Sequence, residues 1–383
     1  MDILQIFVFL ILFVFSGYIS IAIGVRLNIK AGFLVALFLW HTGFCFLYYY
    51  MTTTTMGDLM GYWESSFVDD FDFSPGTEFV TSLTKIFSDS LGLTIENTLL
   101  IYNFIGVIGL FLLGHVLIIY WPYKGKLQGL IPYILLLLPG ISYWTSAIGK
   151  DSIAFFAASL ALFASINIEK RHYLFAIASI VMFVVRPHIA AIMLLSLALS
   201  LVLDKKAGLL NKLFLVSIVS LIGMSMIPFA IDYIGLGEAT SIGDANEYME
   251  SRQGYNQEGG GGINISSLTL PEQLFAYLFR PLFFDAPGAL GIIVSFENLF
   301  ILIVFCLFFL KGIVFVVQKR PPGAIYHIIF FTIGLCIMAT TSANLGISIR
   351  QKTMLLPSFF YLLVLSAYYL KASKIIQKPS HRI

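Results

Sequence analysis

The chain has 383 residues, 58% of them hydrophobic and only 11% charged, with a mean hydropathy of +0.90 and a formal net charge of +2. A water-soluble core of this length cannot hide so much apolar surface, which excludes a soluble enzyme and leaves an all-α polytopic integral membrane protein. The small net charge conceals a dipolar distribution rather than a basic patch, so no nucleic-acid partner is implied.

A hydrocarbon core of about 30 Å takes roughly 20 apolar residues in a helix. Windows of that size predict spans at 3–25, 31–51, 98–120, 213–235, 299–318, 323–341 and 353–370. Four shorter apolar runs, 130–144, 152–168, 173–186 and 189–203, cross only if their outer ends stop below the membrane surface, in protein or in a water-filled cavity. The expectation is a single transmembrane domain, 1–383, of about 11 helices with short broken helices at the outer face. Residues 1–25 read as an uncleaved first span, because Asp2 stands where a signal peptide carries a basic residue and no clear small-residue cleavage site follows. A single kinked helix over 173–203 would be about 46 Å long. It would also place Lys205, Lys206 and Lys212 outside, so a hairpin with Arg186-Pro187-His188 at its outer tip is expected.

Positive residues resist translocation and mark the cytoplasmic loops. One set of alternate loops holds most of the 23 Lys and Arg residues, including Arg26, Lys30, Lys124, Lys126, Lys319 and Arg320, and leaves seven opposite. Of the 21 carboxylates only Glu169 and Asp204 share the basic side. The amino terminus is therefore expected outside and the carboxyl terminus inside. Two outer segments are long: an acidic loop at 52–97, and a loop at 236–297 with the Gly259–Gly262 run and an apolar stretch around 274–284 expected to be interfacial or re-entrant. Cys45, Cys306 and Cys336 all fall in spans with no CxxC spacing, and read as core residues rather than as a disulfide or zinc framework.

The outer face carries the chemistry. A charge at the end of a span is costly unless partnered, and marks a functional site by default. Lys150, Arg186, Arg280 and Arg350 all sit where apolar segments meet the outer side, which disfavours cations. Singly each has a plainer reading. Lys150 and Asp151 can neutralise one another at a helix start, Arg186 can be buried with Asp58 or Asp151, and Arg280 and Arg350 can reach lipid headgroups. Glu297 and Asp285 can pair either of the last two. Jointly the four read as one anion site, an Arg fork suiting phosphate oxygens. Asp58, between Gly57 and Gly61 with Tyr62 and Trp63 one turn on, is the candidate base. His188 beside Arg186 is a candidate acid or base. His41, His115 and His327, at or inside spans, read as structural. Asp69, Asp70 and Asp72 read as solvated surface, with a divalent cation as the alternative. No resident metal or other cofactor is expected.

Asp58-x-x-x-Tyr62-Trp63, Trp144-x-Ser146-x-x-x-Lys150-Asp151, Arg186-Pro187-His188, Phe279-Arg280-Pro281 and Ile349-Arg350-Gln351 together resemble bacterial polytopic glycosyltransferases of the GT-C type. They also resemble the polymerases that extend O-antigen, capsule or exopolysaccharide repeat units. The resemblance implies a GT-C-like bundle in the bacterial inner membrane, with its active face outside. It implies a polyprenyl phosphate- or diphosphate-linked saccharide as donor, a glycan acceptor, and polysaccharide assembly proteins as possible partners. Asp58, Arg186 and His188 would be catalytic; Lys150, Asp151, Arg280, Arg350, Tyr62, Trp63 and Trp144 would hold substrate and phosphate. The competing classes are a flippase for lipid-linked oligosaccharide, in which the same cations bind diphosphate without cleaving it, and a structural subunit of an envelope assembly complex.

Overall fold

In the computed structural model, residues 2–54, 57–203, 268–286, 288–342 and 345–376 are described, together with scattered positions between 213 and 224. Among them the secondary structure is helical throughout, with no strand. Inside a bilayer a helix satisfies every backbone polar group within its own segment, so continuous apolar sequence resolves into helices.

Helix α1 (Ile3–Arg26) is capped by Asp2, whose carboxylate accepts from Gln5 N at 2.8 Å, and ends at Leu27-Asn28, where Asn28 takes a positive φ of 61°. Helix α2 (Ala31–Thr54) follows. The segment between α2 and the next long helix contains two short helices, α3 (Asp58–Val68) and α4 (Thr77–Lys85), the latter running into a π-helical turn at Ile86–Ser90. Then come α5 (Ile95–Tyr120), α6 (Ile131–Leu136), α7 (Pro139–Thr145), α8 (Lys150–Ser165), α9 (Ile168–Val185) and α10 (Pro187–Leu203). After the next described break are α11 (Leu270–Phe279), α12 (Gly288–Val304), a π-helical turn at Phe305–Phe309, and α13 (Leu310–Lys319). The last helices are α14 (Ala324–Thr341), α15 (Leu345–Gln351), a 3-10 turn at Lys352–Met354, and α16 (Leu356–Ile376).

Among the described residues five helices are long and apolar enough to cross a membrane: α1, α2, α5, the Gly291–Lys319 stretch of α12–α13, and α14. A sixth crossing arises if Leu345–Met354 and Leu356–Lys374, bent by 66°, form one span. The expected span at 213–235 and the Gly259–Gly262 run lie outside the described residues, apart from isolated positions before 225.

Three boundaries differ from the expectation. Residues 130–144 are two helices, because Pro139 cannot continue α6 and instead opens α7 at a position where its missing N–H costs nothing. The helix expected at 299–318 begins earlier, since Glu297 is buried within it, accepting from Gly140 N at 2.6 Å. The acidic loop 52–97 is largely folded, α3 burying Leu59, Tyr62 and Ser66 against its neighbours.

Helix α8, buried on nearly all faces, lies between α5 and α9 and also touches α16. Small residues allow this. A Cβ on Gly109 of α5 would lie 2.9 Å from Phe156 Cα of α8, and one on Gly312 of α13 would lie 2.3 Å from the Ser366 carbonyl oxygen of α16. Two histidines tie helices together. His327 of α14 lies between Ser165 Oγ (2.7 Å) and Ser358 Oγ (2.8 Å), and His41 of α2 between Asn103 Oδ1 (2.7 Å) and Thr145 Oγ1 (3.3 Å). His115 Nδ1 meets the Leu27 carbonyl at 2.6 Å. All three cysteines are free.

Candidate functional site

Four breaks in the helical ladder bring charges to one cavity. The first is Gly149, at φ +153°, a conformation strained for any side chain, which turns the chain so that Lys150 and Asp151 form the first turn of α8. The second is Arg186, which precedes a proline and is thereby excluded from helical geometry (φ −147°, ψ 78°), so α9 stops and Pro187 starts α10. The third is the bend after α15, just beyond Arg350. The fourth is the start of α3, where Asp58 follows Gly57.

The cavity they enclose has a volume of about 540 Å³ and is lined by Asp58, Tyr62, Lys150, Arg186 and Arg350, with the Ser65, Thr77 and Thr81 hydroxyls also facing it. Asp151 does not line it but holds two residues that do. One carboxylate oxygen accepts from Arg186 Nη2 at 2.6 Å and the other from Arg350 Nε, and both Asp151 and Arg186 are buried. Arg350 Nη1 also donates to Asp58 at the rim, whose side chain is 55% exposed. Lys150 Nζ donates to Thr77 Oγ1 at 2.8 Å. Among the described residues the buried Nε of Arg186 has no hydrogen-bond acceptor. A buried N–H without an acceptor costs free energy.

Burial alone would raise the Asp151 carboxyl, but the Arg350 and Arg186 guanidiniums outweigh it and hold it below the ordinary carboxylate range. His188 is partly exposed, yet burial of its ring and the charges of Arg186 and Lys150 push it down to about 3, so it is neutral near pH 7. It is therefore no stock of protons at that pH.

Of the ten expected site residues, Asp58, Tyr62, Lys150, Arg186 and Arg350 line the cavity, Asp151 pairs with the last two, and His188 follows Arg186 by two residues. Trp144 lies against the site, with Arg350 Cζ 5.8 Å from its ring centroid, and packs into an aromatic cluster with Tyr48 and Tyr143. Trp63 does not line the cavity and packs on Phe67, because α3 presents Asp58, Tyr62 and Ser65 to the cavity and turns residue 63 away. Arg280 is also elsewhere. It pairs with Asp285, five residues on, at the loop after α11. The Arg280–Pro281 peptide is cis.

Sequence reasoning missed the hydroxyls of Ser65, Thr77 and Thr81, the last two a turn apart on α4, and it missed Lys352. That lysine is buried behind the bend, donating to Asn298 Oδ1 at 2.6 Å and the Leu278 carbonyl at 3.3 Å. Among the described residues no three His, Cys, Asp or Glu side chains are grouped to hold a metal ion. Asp72 instead accepts from Ser74 N at 2.8 Å, which holds its carboxyl below the usual range.

Compared with known proteins, the chain matches no family model, no curated protein and no solved structure. Function is therefore read from the site's own geometry.

Proposed function

We propose that the protein is a bacterial inner-membrane glycosyltransferase or repeat-unit polymerase, acting outside the cytoplasm on a polyprenyl phosphate- or diphosphate-linked saccharide. In this reading the chain crosses the membrane eleven times in a GT-C-like arrangement, with the amino terminus out and the carboxyl terminus in. The reading is carried by one observation: Lys150, Arg186 and Arg350 converge on a cavity that has the Asp58 carboxylate at its rim. Among the described residues Asp151 pairs with both Arg186 and Arg350, and Asp58 with Arg350, so the two guanidiniums are held facing one cavity, where an anionic group can meet them.

The chemistry follows from those groups. An acceptor hydroxyl oxygen attacks the anomeric carbon of the donor sugar as Asp58 takes the hydroxyl proton. The bond from the anomeric carbon to the phosphate oxygen breaks, and its electron pair leaves with the lipid phosphate. Lys150, Arg186 and Arg350 stabilise the charge that develops on that oxygen. The Ser65, Thr77 and Thr81 hydroxyls offer hydrogen bonds to sugar or phosphate oxygens, and the glycan acceptor and any assembly proteins approach from outside.

The test supplies the purified protein with a lipid-linked saccharide and follows products by mass spectrometry. Longer glycan with release of polyprenyl phosphate or diphosphate is expected, and Asp58→Asn is expected to abolish it while remaining folded. The bend of 66° between the last two helical segments favours a second reading, since broken helices are common in transporters. A flippase would move intact lipid-linked saccharide, and Asp58→Asn would still do so.

A further inference from the structure

Arg350 holds two carboxylates of unequal character. Asp151 is enclosed, its side chain 6% exposed, and it is shared with Arg186; withdrawing it would leave the buried Arg186 guanidinium without the carboxylate it contacts. Asp58 is 55% exposed and, among the described residues, its side chain is bonded by Nη1 of Arg350. An exposed ion pair contributes little, whereas phosphate oxygens on an Arg fork form short, charge-assisted bonds in pairs. Beside it the buried Arg186 Nε lacks an acceptor among the described residues. An anion entering the cavity therefore meets an Arg350 donor held by an exchangeable carboxylate.

We infer that Asp58 is the resident competitor for the phosphate position on Arg350, and that a diphosphate group displaces it. The exchange breaks one ion pair and makes another, and no proton moves. While paired, the Asp58 carboxylate occupies the Arg350 Nη1 position; once displaced it stays at the cavity rim, at the start of α3. The inference rests on the anion-binding half of the proposed function and not on the transfer step.

The experiment titrates inorganic diphosphate into the purified full-length protein at fixed ionic strength and pH, comparing wild type with Asp58→Asn. A carboxylate that competes with the ligand weakens binding when present, so Asp58→Asn is expected to bind diphosphate about two- to fivefold more tightly, the range for removing an exposed pair. Asp58→Ala, which cannot form a hydrogen bond to Arg350, is expected to change affinity in the same direction, and Arg350→Gln to lose most binding. Affinity that is unchanged or weaker in both Asp58 variants, with unfolding temperatures near wild type, overturns the inference. A short-chain polyprenyl diphosphate separates the sources of the anion: tighter binding than the inorganic ion supports a lipid-borne phosphate, and equal affinity overturns that assignment. Tighter anion binding by Asp58→Asn without glycan extension by wild type would sustain the exchange while refuting the transferase reading.

Discussion

Neutralising Asp151 separates the buried carboxylate from the one at the cavity rim. In Asp151→Asn two guanidiniums, on side chains only 9% and 20% exposed, lose the carboxylate that both contact. Removing one partner of a buried pair costs about 3–5 kcal/mol, because the remaining charge has no solvent to return to. Asp151 also lies in the first turn of α8, where a negative charge contributes about 0.3–1 kcal/mol against the helix dipole. The matched change Asp58→Asn removes a carboxylate that is 55% exposed, worth about 0.2–1 kcal/mol after solvent screening. At roughly 2.1 cal/mol/K of unfolding entropy per residue, 383 residues give about 0.8 kcal/mol/K. Asp151→Asn should then lower the unfolding temperature by about 4–7 °C and Asp58→Asn by about 1 °C or less. The assay is thermal unfolding of the purified proteins in one detergent, followed by intrinsic Trp fluorescence. Equal losses for the two variants, or no loss for Asp151→Asn, would refute the division into a fixed and an exchangeable carboxylate.

Other consequences follow from the same geometry. Arg186→Gln removes a guanidinium placed to stabilise the departing phosphate, and saccharide turnover should fall by about 10²–10³-fold, measured as released polyprenyl phosphate; a decrease below threefold would contradict that role. His188 is neutral in the fold at a pH where the unfolded residue, of ordinary pKa 6.5, gains a proton. Its contribution therefore falls as pH drops below about 6.5 and continues to fall to about 3. Asp58 aside, His188→Gln should show a shallower decline in unfolding temperature between pH 6.5 and 4 than wild type, and a parallel decline would place the ring elsewhere. Lys352→Met leaves Asn298 Oδ1 and the Leu278 carbonyl without that donor behind the bend, at about 1–3 kcal/mol each if unsatisfied, and should lower stability and diphosphate affinity together. Gly312→Ala drives a methyl group to 2.3 Å from the Ser366 carbonyl oxygen, and α13 and α16 must separate, which should cost about 1–3 kcal/mol in unfolding measurements with the outer cavity intact.

Much of the site was legible because a membrane-spanning sequence makes a charge conspicuous. Lys150, Asp151, Arg186 and Arg350 each interrupt apolar runs, and an interruption that expensive needs a partner; Asp151, Arg186 and Arg350 partner one another, and Lys150 donates to the Thr77 hydroxyl. The sequence could not say which partner. Arg280 has the same local character as Arg350, but Asp285 lies five residues on and closes a local ion pair, whereas the carboxylates that meet Arg350 are 199 and 292 positions away. Such distant pairing is fixed by how helices pack, which periodicity does not encode. Trp63 was grouped with Tyr62 by adjacency, but consecutive residues on a helix point about 100° apart, and only Tyr62 faces the cavity. The long apolar helices were legible from hydropathy. The short α3 and α4 were not, because a nine- or eleven-residue amphipathic helix leaves no mark in a spanning window. Lys352 left no signal, and Glu297 was expected to pair Arg280 or Arg350, since sequence cannot distinguish those partners from Asn298, which meets Lys352, or the Gly140 amide, which meets Glu297.

The claim on which the account turns is that Lys150, Arg186 and Arg350 form a seat for a lipid-borne phosphate. Native mass spectrometry of the purified protein with equal amounts of a short-chain polyprenyl diphosphate and the corresponding uncharged polyprenol tests it. One charge-assisted contact is worth about 1.5–3 kcal/mol, so wild type should prefer the diphosphate by at least about tenfold, and the preference should collapse in an Arg186→Gln, Arg350→Gln double variant. Equal binding of the two lipids by wild type, or a preference that survives the double variant, would contradict it.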